Sequence, residues 1–174
     1  SEAPGSCFAL GQVLIDAGLP AGVFSILTGD PNPMVGDLIS SPIIRKVSLT
    51  GSVPIGKEIL RQCAEGIKKV TMELGGHAPV IVYPDFDPIS AAKKLATTKF
   101  RNCGQVCISP SRFYVHRSII EPFTKAFVEV AKNLKTGRRL DEGVTTGPLI
   151  REKSLKNALS LIADAQVKGA ELLL

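Results

Sequence analysis

Apolar residues along the chain repeat with two different periods, and the period changes at short intervals. Spacings of three and four residues predict helices over residues 6–17, 33–40, 54–65, 88–100, 119–135 and 151–168. Short apolar or alternating runs predict strands over residues 23–27, 46–50, 70–74, 79–83, 112–116 and 172–174. Strands that alternate with helices through short links are typical of an α/β fold with mostly parallel sheets.

Two features of this order bear on domain organisation. The glycine pair Gly75-Gly76 follows a predicted strand and is the best candidate for a domain junction. The chain begins at Ser1 without Met and stops in an apolar run that has no closing turn, whereas a natural domain rarely ends in an unpaired apolar strand. We therefore expect an interior piece of a larger protein, with parts of two domains over residues 1–75 and 76–174.

Composition excludes several classes of protein. Of the 174 residues 44% are hydrophobic and 21% charged, and the net charge of +5 is spread along the chain, so neither a disordered tail nor a nucleic-acid-binding stripe is expected. No apolar run approaches the roughly 20 residues that span a bilayer, so no membrane partner is expected. The four cysteines favour reduced thiols in a cytoplasmic-type compartment. The two histidines, His77 and His116, are not spaced as metal ligands, and no metal site is predicted.

A glycine turn follows the strand predicted at 46–50. The sequence Thr-Gly-Ser-Val-Pro-Ile-Gly at 50–56 runs from that strand into a helix, whose first N–H groups and positive dipole end suit a phosphate. It contains neither G-x-G-x-x-G nor a Walker lysine. A tight turn in which Ser52 caps the helix explains the same residues.

Glu73 ends an otherwise apolar strand and precedes two glycines. A carboxylate at a buried strand end can serve as a general base. The alternative is an ordinary solvated acid at the end of a strand.

Cys107 lies in a polar loop, Arg101 to Pro110, rather than in an apolar helix. A thiol in such a loop can act as a nucleophile where backbone N–H dipoles stabilise its thiolate. Cys103, four residues earlier, is either a resolving partner or a plain buried thiol, and the helical patterns around Cys7 and Cys63 predict packing residues.

Taken in order, these three motifs resemble those of the NAD(P)-dependent aldehyde dehydrogenase superfamily. The resemblance rests on Thr-Gly-Ser at 50–52, Glu-Leu-Gly-Gly at 73–76 and Gly-Gln-Val-Cys at 104–107, with support from the stretches at 17–23, 28–30 and 146–149. It covers nearly the whole chain. The stretches at 73–79 and 106–110 look most like the succinate-semialdehyde dehydrogenase group.

The resemblance implies a two-step mechanism. Cys107 matches the family nucleophile, which attacks an aldehyde to form a thiohemiacetal and, after hydride transfer to the nicotinamide, a thioester. Glu73 matches the family base, which activates the water that hydrolyses this thioester. The Cys107 backbone N–H would hold part of the oxyanion.

The resemblance also implies where NAD or NADP binds. Gly51, Ser52, Val53 and Gly56 match the helix start beside the pyrophosphate. Gly29 matches a glycine beside the adenosine, Leu74 the backbone beside the nicotinamide, and Glu2, one residue out of register, a ribose-binding acid. Residues 1–75 would be the later half of the nucleotide-binding domain and 76–174 the start of the catalytic domain.

Some positions depart from the family pattern. His77 replaces a usual Lys, Val53 a common Thr and Leu49 a common Phe. The family's oxyanion-hole Asn and its second ribose-binding Glu have no counterpart between Ser1 and Leu174, so we expect the chain alone to be an inefficient enzyme. The family also implies a small aldehyde substrate and homo-oligomers of the full-length protein.

Two alternatives to a hydrolytic dehydrogenase stay open. A CoA-acylating relative would pass the acyl group to CoA, although such relatives typically lack the acid found at Glu73. A non-catalytic scaffold fragment would bind no cofactor and would show ordinary thiol reactivity at Cys107.

Overall fold

The computed structural model describes residues 3–138 and 140–174. The elements follow in the order α1 (Gly5–Asp16), α2 (Pro31–Ser40), β1 (Lys46–Gly51), α3 (Val53–Glu65), β2 (Lys69–Leu74), β3 (Ala78–Val82), α4 (Pro88–Phe100), β4 (Pro110–Val115), α5 (Ile120–Lys132) and α6 (Glu152–Val167). A short 3₁₀ turn at Arg117–Ile119 precedes α5. The turn at Arg101–Gly104, between α4 and β4, has non-helical backbone angles at Asn102 and Cys103. The chain divides into two compact units, of which the first ends at Leu74 and the second begins at Gly75.

A two-stranded parallel sheet organises the first unit. β1 and β2 pair in register from Lys46 opposite Lys69 to Gly51 opposite Leu74, and α3 connects them. Burial alternates along both strands, because successive side chains of a strand point to opposite faces. The inner face packs on α2 and α3 through a core of Ile39, Ile59 and Cys63 with partly buried Val35, Val47, Leu49, Val70 and Met72.

Local contacts explain where these helices begin and how the unit closes. The Asp30 carboxylate accepts a hydrogen bond from the Asn32 N–H at 3.1 Å, and Pro31 occupies the first turn of α2, where its missing N–H costs little. The partly buried Lys68 ammonium donates to the carbonyls of Ser41 (2.7 Å) and Ile44 (2.6 Å). Lys68 therefore ties the loop after α2 to the start of β2.

The second unit also contains a parallel pair of strands, β3 and β4, covered by α4 and α5. Its core combines the fully buried Ala92 with Val82, Ala91 and Phe123, and the Phe113 and Phe127 rings meet edge to face at 5.2 Å. The Asp87 carboxylate accepts from the Ser90 N–H at 2.7 Å and so caps α4. α4 therefore begins at a fixed point, and its last turn leads directly into the loop that carries Cys107.

The predicted α/β class with parallel sheets is confirmed. All six predicted helices are present with ends shifted by at most a few residues; the helix expected over 119–135, for example, spans Ile120–Lys132. The strands expected at 46–50, 70–74, 79–83 and 112–116 are present as β1 to β4.

Two predicted strands, residues 23–27 and 172–174, are wrong. Within the described chain both segments lack a strand assignment. A strand needs a hydrogen-bonded neighbour, and neither segment has one in the sheets of either unit. An apolar run by itself therefore predicted more strand than the fold contains.

The described helices are not suited to crossing a membrane. Even α6, with 16 residues, lacks the length and the uninterrupted apolar character that a span requires.

Candidate active site

The glycine turn leads from β1 straight into α3. Ser52 stands at the N-cap position with extended backbone angles, but its side chain makes no capping hydrogen bond, so the expected Ser52 cap is absent. The Gly56 N–H donates to the Ser52 carbonyl at 2.9 Å and closes the first helical turn. The N–H groups of Val53 and Ile55 precede this bond at the positive end of the helix dipole, which is where an anion is best stabilised.

Gly56 lies where α3 approaches β2 most closely. A Cβ at this position would be 2.9 Å from Leu74 Cδ2 and 3.1 Å from Leu74 Cδ1, both too short for ordinary contact. Gly56 thus lets the start of the helix sit against the end of the strand, and Leu74 is the residue that fills the contact.

Gly56→Ala is expected to destabilise the full-length protein by about 1–3 kcal/mol, since the added methyl group must push α3 away from Leu74. Thermal unfolding measures this loss. Gly36→Ala in the middle of α2 is the matched control, because nothing lies within 4 Å of its Cβ position. Alanine is favoured over glycine inside a helix, so the control should be neutral or slightly stabilised. Equal melting temperatures for the two variants would contradict the proposed contact.

An apolar groove of about 590 Å³ lies between α2 and α3 over the inner face of β1. Its lining includes Pro31 and Val35 from α2, and Ile55 and Ile59 from α3. Ile55 is also in the first turn of α3, so the groove begins at the free helix N-terminus. Gly29 comes just before α2, with its Cβ position 3.6 Å from the Met34 side chain.

One carboxylate borders this groove. The Glu58 carboxylate accepts hydrogen bonds from the Gln62 amide at 3.0 Å and from the Arg61 guanidinium at 2.9 Å. These two bonds lower the pKa of Glu58. Glu58 is exposed and its lowered pKa keeps it ionised at neutral pH, so this edge of the groove carries a carboxylate that is paired with Arg61.

Glu73 is the penultimate residue of β2 and pairs in register with Thr50 of β1. Because the strands are parallel, Glu73 and the glycine turn after β1 lie at the same carboxyl edge of the sheet. The expectation of a buried strand end is wrong for the side chain itself. Val70, Met72 and Leu74 face inward, and Glu73, between the last two, is exposed on the opposite face.

The loop that carries Cys107 begins with an unusual backbone. Asn102 (φ 52°), Cys103 (φ 56°) and Gly104 (φ 72°) are all left-handed. This conformation costs a non-glycine residue roughly 1–2 kcal/mol, and such strain persists only where surrounding contacts impose it.

Hydrogen bonds from distant residues hold this loop. The Cys103 N–H donates to Thr146 Oγ1 at 3.1 Å, and the Ile150 N–H donates to Gln105 Oε1, also at 3.1 Å. At the far end, the buried Ser109 hydroxyl donates to the Lys99 carbonyl at 3.2 Å. The loop is therefore fastened at its beginning, middle and end.

Cys107 occupies an exposed turn that is closed by the Ser109 N–H, which donates to the Val106 carbonyl at 2.9 Å. The Gly76 Cβ position is 3.6 Å from the Cys107 carbonyl oxygen, so a glycine of the β2–β3 link borders this turn. Among the residues that the structure describes, the Cys107 backbone N–H has no acceptor. An exposed thiol beside a free N–H can attack a carbonyl and stabilise the oxygen that becomes charged.

The other cysteines differ from one another in burial. Cys63 is 1% exposed, which confirms a packing role, but Cys7 is exposed and its predicted packing role is wrong. Cys103 is partly buried, and all four thiols are free. Over residues 3–138 and 140–174, no three His, Cys, Asp or Glu side chains form a metal-binding cluster.

The predicted site residues thus fall into groups. The carboxyl edge of the first sheet and the start of α3 hold six of them: Gly51, Ser52, Val53, Gly56, Leu74 and Glu73. Gly29 lies just before α2. Cys107 belongs to the second unit, and Glu2 lies outside the described residues. Sequence reasoning missed the support that Thr146 gives to the loop. The Thr-Gly-Pro-Leu stretch at 146–149 supported the family resemblance, but nothing in it indicated that Thr146 contacts Cys103.

Comparison with known proteins identifies the class to which this fold and site belong. The model of the Aldehyde dehydrogenase family matches residues 1–174, and the chain is a member of that family.

Several relatives within the family act on aldehydes that carry a carboxylate. The chain is 44% identical over 170 residues, 98% of its length, to the succinate-semialdehyde dehydrogenase (NADP(+)) GabD of Escherichia coli K12. It is 42% identical over 171 residues, also 98% of its length, to the glutarate-semialdehyde dehydrogenase of Pseudomonas aeruginosa PAO1. The crystal structure of an E. coli NADP dependent enzyme superimposes with a TM-score of 0.95 at 43% identity, covering 98% of this chain and 36% of that one. The chain spans 35% of the length of each of the two relatives.

Proposed function

We propose that the full-length protein oxidises an aldehyde to a carboxylate with NAD or NADP, and that this chain supplies the nucleophile, the base and part of the nucleotide site. The observation that carries the proposal is the exposed Cys107 thiol, on a fastened loop and beside its own free N–H. In this proposal residues 1–75 belong to the nucleotide-binding domain and residues 76–174 begin the catalytic domain.

The first unit fits a dinucleotide in its chemistry. The N–H groups at the start of α3 suit a pyrophosphate, and the unused Ser52 hydroxyl is available to it. The groove between α2 and α3 has the apolar lining that an adenine requires, close to Gly29. Gly51, Val53 and Gly56 would hold the phosphate side of the cofactor, and the backbone at Leu74 would contact its nicotinamide. The bound cofactor supplies a hydride acceptor.

Cys107 performs the first step. Its sulfur, as the thiolate, attacks the aldehyde carbon, and the carbonyl electrons move to the oxygen, which the Cys107 N–H stabilises. One such donor is worth about 2.7–4 kcal/mol in the transition state. The resulting thiohemiacetal loses hydride from carbon, its oxygen becomes a carbonyl again, and a thioester remains on Cys107.

Glu73 performs the second step as general base. Its carboxylate takes a proton from water while the water oxygen attacks the thioester carbon, and the tetrahedral species then expels the Cys107 thiolate. The carboxylic acid that forms ionises, Glu73 returns its proton to the solvent, and the carboxylate leaves the free enzyme. A positioned base is typically worth about 10²–10⁴-fold in rate.

The proposed substrate is an aldehyde with an anionic group at its other end. Succinate semialdehyde and glutarate semialdehyde, named for the two relatives, share this feature and differ by one methylene group. The chain's net charge of +5 is compatible with an anionic substrate. We further propose that the full-length protein is a homo-oligomer, as the family resemblance implies.

The test is product analysis with the full-length protein. Succinate semialdehyde, glutarate semialdehyde and neutral butanal are each supplied with NAD or NADP, with and without CoA. We expect free carboxylate in every productive reaction, no requirement for CoA, and at least about tenfold higher kcat/KM for the semialdehydes, since a charge-assisted hydrogen bond contributes about 1.5–3 kcal/mol.

Three results would contradict parts of this proposal. CoA-dependent turnover that releases acyl-CoA would establish the acylating alternative. Equal kcat/KM for butanal would remove the anionic substrate class. An absence of turnover, of nucleotide binding and of cofactor protection of Cys107 against iodoacetamide would favour a non-catalytic scaffold.

A further inference from the structure

The loop that carries Cys107 is held by a distant segment, through hydrogen bonds that join residues 43 and 45 positions apart. Residues 146–150 provide two of its tertiary hydrogen bonds, at Cys103 through Thr146 and at Gln105 through Ile150. The two side chains that make these bonds, Thr146 and Gln105, are not typical acid–base groups, because a threonine hydroxyl and a glutamine amide do not titrate near neutral pH.

Thr146 is itself rigidly placed. Its N–H donates to the Lys135 carbonyl at 3.3 Å, and its carbonyl accepts from the Gly137 N–H at 3.1 Å, within a parallel bridge between Thr136 and Thr146. The residue is 9% exposed. Its hydroxyl oxygen is therefore a fixed acceptor next to the strained part of the loop.

The partner of this hydroxyl is the backbone of the second left-handed residue. A left-handed Cys103 turns its N–H away from the local helical acceptors, and Thr146 Oγ1 accepts it instead at 3.1 Å. Cys103 is four residues before Cys107, and between them Gln105 is bound in turn by Ile150. The position and orientation of Cys107 within the loop thus depend on these two hydrogen bonds.

We propose that Thr146 is a positioning residue for aldehyde oxidation, with Gln105 as its second anchor, so that residues 146–150 hold the Cys107 sulfur and N–H in their reactive arrangement. This inference rests on the proposed function. It adds a role for a hydroxyl that contacts neither the thiol nor any reacting atom.

The test uses the full-length protein with succinate semialdehyde and NADP. In Thr146→Val the side chain keeps its shape but loses the acceptor, so the loop samples unproductive arrangements. We expect the first-turnover rate of hydride transfer to fall about 10- to 100-fold, as a misplacement of about 1 Å can cost. The KM and the nucleotide Kd should change by less than about threefold. Thr146→Ser keeps the hydroxyl and should restore the rate to within about threefold.

Thr98→Val is the matched control. Thr98 borders the same groove as Thr146, but its hydroxyl donates only within α4, to the Lys94 carbonyl at 3.0 Å. Its first-turnover rate should equal that of the parent. If Thr146→Val does not fold, as judged by circular dichroism and its melting temperature, Gln105→Met tests the second bond with the same readouts.

Several outcomes would overturn the inference. They are a folded Thr146→Val with the parent rate, a Thr146→Ser as slow as Thr146→Val, or a loss of folding in both the Val and the Gln105→Met variants, which would make the contact purely structural. Cys107→Ser separates this failure from that of the proposed function. If Cys107→Ser still oxidises the aldehyde, the mechanism is wrong; if it does not, only the role of Thr146 is lost.

Discussion

Cys107→Ser in the full-length protein is expected to lower kcat/KM for aldehyde oxidation by about 10⁴-fold or more. A serine hydroxyl stays protonated near neutral pH and attacks a carbonyl poorly without a dedicated base, whereas a thiolate is a strong nucleophile. The exposed turn at Cys107 should accept a hydroxyl without strain, so folding and nucleotide binding should be unchanged. Steady-state kinetics and a cofactor-binding titration measure the two effects separately.

Cys103→Ser is the control for this experiment. Cys103 lies in the same loop, and its hydrogen bond to Thr146 comes from the backbone N–H, which serine retains. Activity should remain within about fivefold of the parent. Turnover at the parent rate in Cys107→Ser would refute the assignment of the nucleophile, and a loss confined to Cys103→Ser would transfer the role to that residue.

Glu73→Gln is expected to separate the two chemical steps. Glutamine matches the shape of glutamate but takes up no proton from water, so thioester hydrolysis should slow by about 10²–10⁴-fold while hydride transfer continues. The measurement is a rapid-mixing experiment with the full-length protein. We expect a burst of reduced cofactor close to one equivalent per active site, followed by slow turnover.

The acyl-enzyme should then be visible directly. Mass spectrometry of Glu73→Gln mixed with substrate and cofactor should find the acyl group on Cys107. Glu65→Gln, at the end of α3, is the control and should behave as the parent does. A Glu73→Gln variant that shows no burst and keeps the parent kcat would exclude Glu73 as the base and reopen the CoA-dependent alternative.

Helices were well predicted because their evidence is local. The span 88–100, predicted from apolar spacing, coincides with α4, and the structure adds a capping Asp87 and Pro88 in the first turn, both adjacent in sequence. The strands at 46–50 and 70–74 were also predictable from nearby residues alone. Their parallel pairing, which places Glu73 beside Thr50, is known only from the tertiary structure.

The two wrongly predicted strands show what the apolar pattern cannot predict. Residues 23–27 and 172–174 are as apolar as β2, yet they form no strand because pairing requires a neighbour that the apolar pattern does not specify. The exposure of Glu73 follows the same rule, since the face to which a strand residue points is set by what packs against the sheet.

The amino-acid sequence by itself determined the identity of the chemical groups: a thiol at 107, a carboxylate at 73, and glycines at 51 and 56 beside a helix start. Short motifs retain such information because chemistry requires particular atoms at particular positions. Only the tertiary structure decided how those groups are held. The contact of Gly56 with Leu74 and the bond from Cys103 to Thr146 join residues 18 and 43 positions apart, and packing of that range leaves no periodic trace in the chain.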